Sequence, residues 1–524
     1  MGIIQNCRIT GIDFTISDQE LELIKKLPEL NPALEGQILP LPTVHPFEAL
    51  RRMYVFGCLR HIFKDKSCIS GQSILTRFNP AIGTKVCTTD EFFDVVDNCD
   101  VGQSYDFKRP FFDQWYEVFR NSIFSPLNKS NCEDSDYVNG ALNLKGCYLC
   151  FAMWDSQDCQ YCVTALSCRD CIDLCYSFGC ELCYSGNNLT RCYEVQESTD
   201  CSDCQSSFGL YGCSNCQNCY GCVGLNRAQY CIFNQQVSRE AYLEFILDRD
   251  LASYASRKKA IQECDLFSKE QKYQANTISI SDRATGAYIE RCEDVEEVNN
   301  CVSSRFSGYL IIGQDAHYCY RGLGVKSSFT YHCHGFDSSN NYFCYTPRGG
   351  GNNVYSAFLY NNCTDCFGCS SLTKKSYCIL NKQYSKDEYF DLVPRIIAHM
   401  KSTGEWGEWF PIEYAPHYYE EGSWAEFMKD IPREVALARG YKMLPVSGEL
   451  KNLEAITDLP DRLTPEVIPA LIAKPIRCPK TGKLFNLQKR ELEFYLRMQI
   501  PVPRVHWNER MQERINSRQL IPAV

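Results

Sequence analysis

Small apolar residues in the middle of this chain recur with a strict three-residue phase. Apart from Cys175, every cysteine from Cys132 to Cys231 has a number divisible by three. The intervening positions are Gly, Asn, Asp, Ser and Tyr, as in SFGCELCYSGNNLTRC. That pattern fits neither an amphipathic helix, with its 3.6-residue period, nor a plain two-residue strand alternation. Cysteines also recur 21 residues apart: Cys147 with Cys168, Cys150 with Cys171, Cys159 with Cys180, Cys162 with Cys183, Cys171 with Cys192, Cys180 with Cys201, Cys192 with Cys213, and Cys201 with Cys222. A repeat near 20 residues is too short for a helix pair and points to stacked coils sharing one core. The expected architecture is therefore mainly β: a Cys-rich parallel β-solenoid of about 21 residues per coil. It would stand in two blocks, with helical connectors and degenerate zinc-ribbon-like terminal modules. At about 4.8 Å per coil, five coils would rise roughly 24 Å.

The second block is marked by a duplicated closing motif. NCQNCYGCVGLNRAQYCIFNQQVSREAY (Asn215–Tyr242) matches NCTDCFGCSSLTKKSYCILNKQYSKDEY (Asn362–Tyr389). The two share Cys216/Cys363, Cys219/Cys366, Cys222/Cys369, Cys231/Cys378 and Asn234/Asn381. Helical sequence follows each copy. Residues 238–280 contain no Gly or Pro, and Ser385 with Glu388 forms a capping-box pattern opening a helix to about Met400.

A third repeat joins the two ends of the chain. C-x-x-T-G-x-x-F starts at Cys7 and again at Cys478, and P-x-P-x-V-H-x-x-E follows each, ending in His45 and Glu48 or in His506 and Glu509. The expected divisions are a degenerate ribbon-like module with a helix at 1–60 and a second ribbon-like module at 61–130. Solenoid block 1 follows at 131–237, a helical connector at 238–280 and block 2 at 281–384. A helix and aromatic loop (385–460) and a C-terminal ribbon-like module (461–524) complete the chain.

Composition sharpens the functional question. The 34 cysteines of this 524-residue chain include eighteen in the first block and nine between Cys292 and Cys378. No basic, apolar, small-residue leader and no apolar run of about 18 residues is evident, so a reducing, cytoplasmic setting with free thiols is expected. The net charge of −10 argues against general nucleic-acid binding. Stacked cysteines fit a core of small buried groups: Cys147, Cys159, Cys168, Cys171, Cys180, Cys192, Cys201, Cys213 and Cys222 are the expected thiol stack. The run Cys213, Cys216, Cys219, Cys222 has a spacing akin to iron–sulfur ligands, but it lacks the closing longer gap and Cys-Pro, and the three-residue phase already explains it.

A zinc ribbon needs four ligands from two knuckles, and here Thr10 and Thr481 stand where second cysteines would. Cys7, His45 and Glu48, and Cys478, His506 and Glu509, are the candidate ligands. A metal-free module keeping the ribbon outline is the favoured expectation, as it is for Cys68 and Cys87 in the third such segment. No resident cofactor is otherwise expected. Phosphate loops, nucleophile elbows and HExxH motifs are absent from the sequence, so no catalytic residue is nominated. The His317, Cys319, His332, Cys333 and His334 stretch reads as ordinary side chains. Tyrosines after cysteines (Tyr148, Tyr176, Tyr184, Tyr193, Tyr220) have two readings: plain strand preference, which is favoured, and an outer aromatic stripe for partner or glycan contact. GEWGEWFP (Gly404–Pro411) would pack on a coil flank or anchor a partner chain.

C-x-x-T-G-x-x-F, YDFKRPFFDQW (Tyr105–Trp115), NCxxCFGCxxLxxKxYCIxNKQYSKxEY and GEWGEWFP together resemble a family of Cys-rich, zinc-ribbon-containing proteins of candidate-phyla bacteria, often labelled CaiB/BaiF. The resemblance implies ribbons flanking a Cys-rich repeat core and carries no activity with it. Three readings follow. The first is a non-enzymatic scaffold whose ends and aromatic surfaces serve self-association or docking to a protein partner. The others are a metal or redox protein using the thiols, and a glycan-binding or glycan-active solenoid.

Overall fold

The computed structural model describes residues 2–162, 172, 184–187, 193–272, 278–302, 313–314, 324–325, 334–336, 338–422, 431–445 and 454–517. Helix makes up 32% and strand 25%, the strands lying in several sheets of which none closes among the described residues. The class is thus mixed α and β rather than mainly β. The excess helix lies outside the Cys-rich blocks, in the segments that cover them. The chain divides into two compact units: one from 1–127 and 276–444, the other from 128–275 and 445–518. Each unit holds one terminal module, one Cys-rich ladder and its own helices.

The ladder of the 128–275 unit is parallel with a step of twelve residues, not 21. Lys129 pairs with Ala141, Asn139 with Phe151, Gln205 with Gln217, and Gln217 with Gln229. Twelve residues are four triplets. The residue before each inward position turns left-handed, in an unbroken series from Asn131 and Asp134 through Tyr137, Gly140, Asn143, Gly146 and Leu149 to Ala152. The next residue of each triplet points inward, so Val138, Ala141, Leu144, Cys147, Cys150, Met153, Cys159 and Cys162 form one buried column set. A three-residue side leaves space only for small or slender groups, which is why Cys, Ser, Ala and Val dominate it. Both 12 and 21 are multiples of three, so the 21-residue offset follows from the inward phase without being a coil. Each left-handed non-Gly residue costs on the order of 1 kcal/mol. Compensation comes from its N–H, which bonds to the turn before, as Leu149 does to Asp136 and Asn215 to Ser202.

The ladder of the other unit is less regular. Steps of eleven link Ile278 to Ile289 and Gly313 to Gly324, while twelve link Thr364 to Ser376. A thirteen-residue step joins Gly351 to Thr364, the extra residue being taken up where Asn361 and Asn362 are both left-handed.

Each ladder ends in an antiparallel hairpin, Cys231 against Gln236 and Cys378 against Gln383. Beyond it the side chain of Asn234 replaces the missing next turn. Its Oδ1 accepts from Val223 N–H (2.8 Å) and its Nδ2 donates to Val223 C=O (3.0 Å). Asn381 does the same to Ser370, at 2.8 Å for both bonds. Helices follow at Arg239–Arg249 and Lys386–Thr403, the latter opened by a complete Ser385/Glu388 capping box. The expected connector at 238–280 comprises Arg239–Arg249 and Tyr254–Glu270, and strand begins again at Ile278.

Aromatic and charged contacts clamp the covering segments onto each ladder. In one unit, Trp406 lies 5.4 Å from Tyr342, Trp409 lies 5.9 Å from Phe343, and Phe410 stacks at 4.1 Å on Trp115. Glu405 accepts from the N–H groups of Phe111 and Phe112 at the start of the helix Phe111–Asn121. In the other unit, the Cys264 side chain of the helix Tyr254–Glu270 presses on Gly209, where a Cβ would meet its Sγ at 2.5 Å. Arg257 of the same helix bonds to Gln196 and Glu197 and lies over the rings of Tyr184 and Phe208.

Candidate functional site

The thiol columns are the densest chemical feature. Along a column the register places Cys219 over Cys231 and Cys366 over Cys378. The same twelve-residue step relates Cys147 to Cys159, Cys150 to Cys162, Cys201 to Cys213 and Cys204 to Cys216. Each Sγ finds backbone acceptors: Cys150 donates to Cys159 C=O at 3.3 Å, Cys213 to Cys222 C=O at 3.4 Å, Cys222 to Cys231 C=O at 3.4 Å and Cys369 to Cys378 C=O at 3.3 Å. All the described cysteines are free thiols. Of the expected stack, Cys147, Cys159, Cys201, Cys213 and Cys222 are buried core groups, while Cys168, Cys171, Cys180 and Cys192 lie outside the described residues. So does most of the His317–His334 stretch. The closing motif is buried throughout, in Cys216, Cys219, Cys222 and Cys231 as in Cys363, Cys366, Cys369 and Cys378.

Burial governs the acidity of these groups. It pushes Cys150 and Cys201 well up, helped by neighbouring thiols, and Cys344 up to about 12. Cys147 and Cys216 run the other way because the thiols around them, Cys150 and Cys204 foremost, donate to them. Cys222 is lowered as well, chiefly by Cys219, so the columns divide into donor thiols pushed up and the three sulfurs Cys147, Cys216 and Cys222 that they favour as acceptors. A buried thiol without a thiolate fraction is a poor nucleophile and a poor metal ligand.

The terminal modules share one plan. A short hairpin carries the knuckle, Ile3–Asn6 against Asp13–Ile16 and Ile476–Arg477 against Leu484–Phe485. Burial works against the Cys7 thiolate, but the N–H groups of His45, Thr10 and Ile9 and the Thr10 hydroxyl point at the sulfur and hold it below the ordinary thiol value. His506, Thr481 and Lys480 do the same for Cys478. The knuckle geometry thus persists without the second cysteine. The histidines serve as helix caps: His45 Nδ1 accepts from Phe47 N–H at 3.3 Å and His506 Nδ1 from Asn508 N–H at 3.2 Å. Burial, with Lys483 and Arg510 nearby, holds His506 down to about 4, hence neutral. Glu48 is fully buried and engaged by Arg51, Arg439 and Tyr441, while Glu509 faces Lys483 at 3.7 Å. Among the described residues no group of three or more His, Cys, Asp or Glu is arranged to hold a metal.

The third module repeats the plan with a shifted register. Its knuckle residue is Ser67, not Cys68: Gly71 N–H bonds to Ser67 C=O as Gly11 does to Cys7 and Gly482 to Cys478. Ser67 Oγ accepts from Ser70 N–H and donates to Glu91, whose Thr88/Glu91 capping box takes the place of His45 and Glu48. Hydrogen bonds from Ser67, Ser70 and Thr88 hold Glu91 down to about 2. Cys87 is buried and pushed up to about 12, and Cys68 is exposed. S-x-x-S-G in place of C-x-x-T-G was readable in the sequence once cysteine was not required.

Of the expected outer tyrosines, Tyr176 and the side chain of Tyr193 lie outside the described residues, and the described ones are covered. Tyr220 is fully buried beneath Phe245, Tyr184 meets Tyr495, and half-buried Tyr148 packs edge-on against Tyr161, whose hydroxyl bonds to buried Glu491 at 2.7 Å. Among the described residues no helix is long and apolar enough to cross a membrane. No family model, curated protein or solved structure matches the chain.

Proposed function

We propose that the chain is a non-enzymatic scaffold: two blocks of a Cys-rich β-solenoid, each clamped by its own helices and ribbon-like module, working in a reducing compartment. The observation that carries this reading is the packing of the columns, in which the cysteines are buried and their Sγ atoms bonded to backbone carbonyls. The outer aromatic positions are occupied by the chain's own covering segments. Self-association or partner docking is therefore assigned to remaining exposed faces, such as Leu243, Leu247 and Leu266 on the connector helices, which are 45%, 81% and 63% exposed. The metal or redox reading would draw on Cys147, Cys216 and Cys222, the sulfurs held below the ordinary thiol value, but no ligand group of three or more is arranged around a metal position among the described residues. Native mass spectrometry of protein purified without reductant or chelator tests the proposal. The expected result is an assembly with intact thiols and no stoichiometric metal. A bound metal, or a mass reduced by about 2 Da for each of several disulfides, overturns it.

A further inference from the structure

In the 1–127 and 276–444 unit, a cavity of about 510 Å³ opens between the ladder corner at Asn352 and Asp365, the turn Pro32–Leu34 and the helix Lys386–Thr403. Its volume lies in the range of small-molecule sites. The corner residues form a polar column, Asn340 Nδ2 donating to Asn352 Oδ1 at 3.4 Å and Asn352 bonding in turn to the Asp365 side chain. Asp365 Oδ1 is buried without a hydrogen-bond donor among the described residues, while the rest of the half-buried side chain lines the cavity. Burial also pushes the Asp365 carboxyl up, against the pull of Asn352 and of the Lys386 charge. Lys386 and Glu35 line the same cavity, so it presents donors and acceptors of both signs. The rings of Tyr377 and Phe390, 6.2 Å apart and inclined edge to face at 64°, line the same cavity.

A carboxylate alone would suit an ammonium ligand, but the lysine beside it repels one. A phosphate would suit the lysine, but meets two carboxyl groups. Hydroxyl groups satisfy all three, and the inclined rings offer an apolar corner to C–H groups. We propose that this cavity binds a neutral polyhydroxylated ligand, a short saccharide, whose hydroxyl groups bond to Asp365, Asn352 and Lys386 while its C–H groups pack into the corner made by the Tyr377 and Phe390 rings. The proposal is independent of the scaffold reading, since a scaffold with or without a sugar site has the same thiol core.

Saturation-transfer NMR and calorimetry on the full chain test it, with cellobiose, maltotriose and N,N′-diacetylchitobiose as probes and spermidine and inorganic phosphate as charged controls. At least one saccharide is expected to bind. Asp365→Asn, which keeps both the shape and the left-handed backbone of the corner, should weaken it by about tenfold, the equivalent of one charge-assisted hydrogen bond. Phe390→Ala should weaken it similarly, and the circular dichroism and melting temperature of each variant establish that it is folded. Absence of binding by all three saccharides, binding that both folded variants leave unchanged, or capture of spermidine or phosphate in their place overturns the proposal.

Discussion

Single side chains decide whether these ladders terminate cleanly. Asn381 is fully buried, and besides Ser370 it reaches Asn98 C=O at 3.0 Å. Asn381→Ala leaves three buried backbone groups without partners and keeps a left-handed backbone that alanine dislikes. It is expected to cost about 3 kcal/mol, against about half that for Asn381→Gly if the backbone term dominates; denaturant titration of both variants separates the two. The inward positions obey a size rule. Ser207 Oγ donates to Gln205 C=O at 2.7 Å, just as Cys219 Sγ, one turn on, donates to Gln217 C=O at 3.5 Å. Cys213→Ser should therefore cost about 1 kcal/mol, while Cys213→Phe, too large for a three-residue side, should cost more than 3 kcal/mol or block folding. The inward phase was legible in the sequence because only small residues fit there. The turn length was not, because 12 and 21 share that phase. Cys147, Cys159, Cys171 and Cys183 stand at twelve-residue offsets in the sequence and would have given it.

Elements form where local signals and covering contacts agree. The Ser385/Glu388 box was readable and opens the helix as expected, because its partners are three residues apart and need no tertiary context. The role of Cys264 was not readable, since it depends on a glycine 55 positions away in sequence. Gly209 is left-handed (φ 67°) and lies directly under Cys264. Gly209→Ala should destabilise by about 2 kcal/mol through both strain and overlap. Adding Cys264→Ala should return only the overlap part, so the double-mutant cycle is expected to show a coupling of about 0.5–1.5 kcal/mol. Additivity would mean that helix and ladder do not press on each other there. The terminal modules teach a related lesson. Their knuckle outline was visible from C-x-x-T-G, and the cap of His45 on Phe47 N–H and the Glu48–Arg51 pair lie within one helix turn. The further engagement of Glu48 by Arg439 and Tyr441 was not legible, because those partners stand 391 and 393 residues away.

At the scale of the molecule, cysteine is, on the proposed reading, a building material. Two units each enclose a column of buried cysteines bonded to backbone carbonyls. Helices and modules supply the wide aromatic core that the narrow columns lack. The most direct test is residue-resolved alkylation of the native protein by iodoacetamide, quantified by peptide mass spectrometry with and without chelator. The account predicts that exposed Cys68 labels within minutes. Cys150, Cys201, Cys213, Cys366 and Cys369 should label only at the rate of global unfolding, and chelator should change nothing. Rapid native labelling of those column cysteines, or their release by chelator, would contradict the claim that the columns are packing.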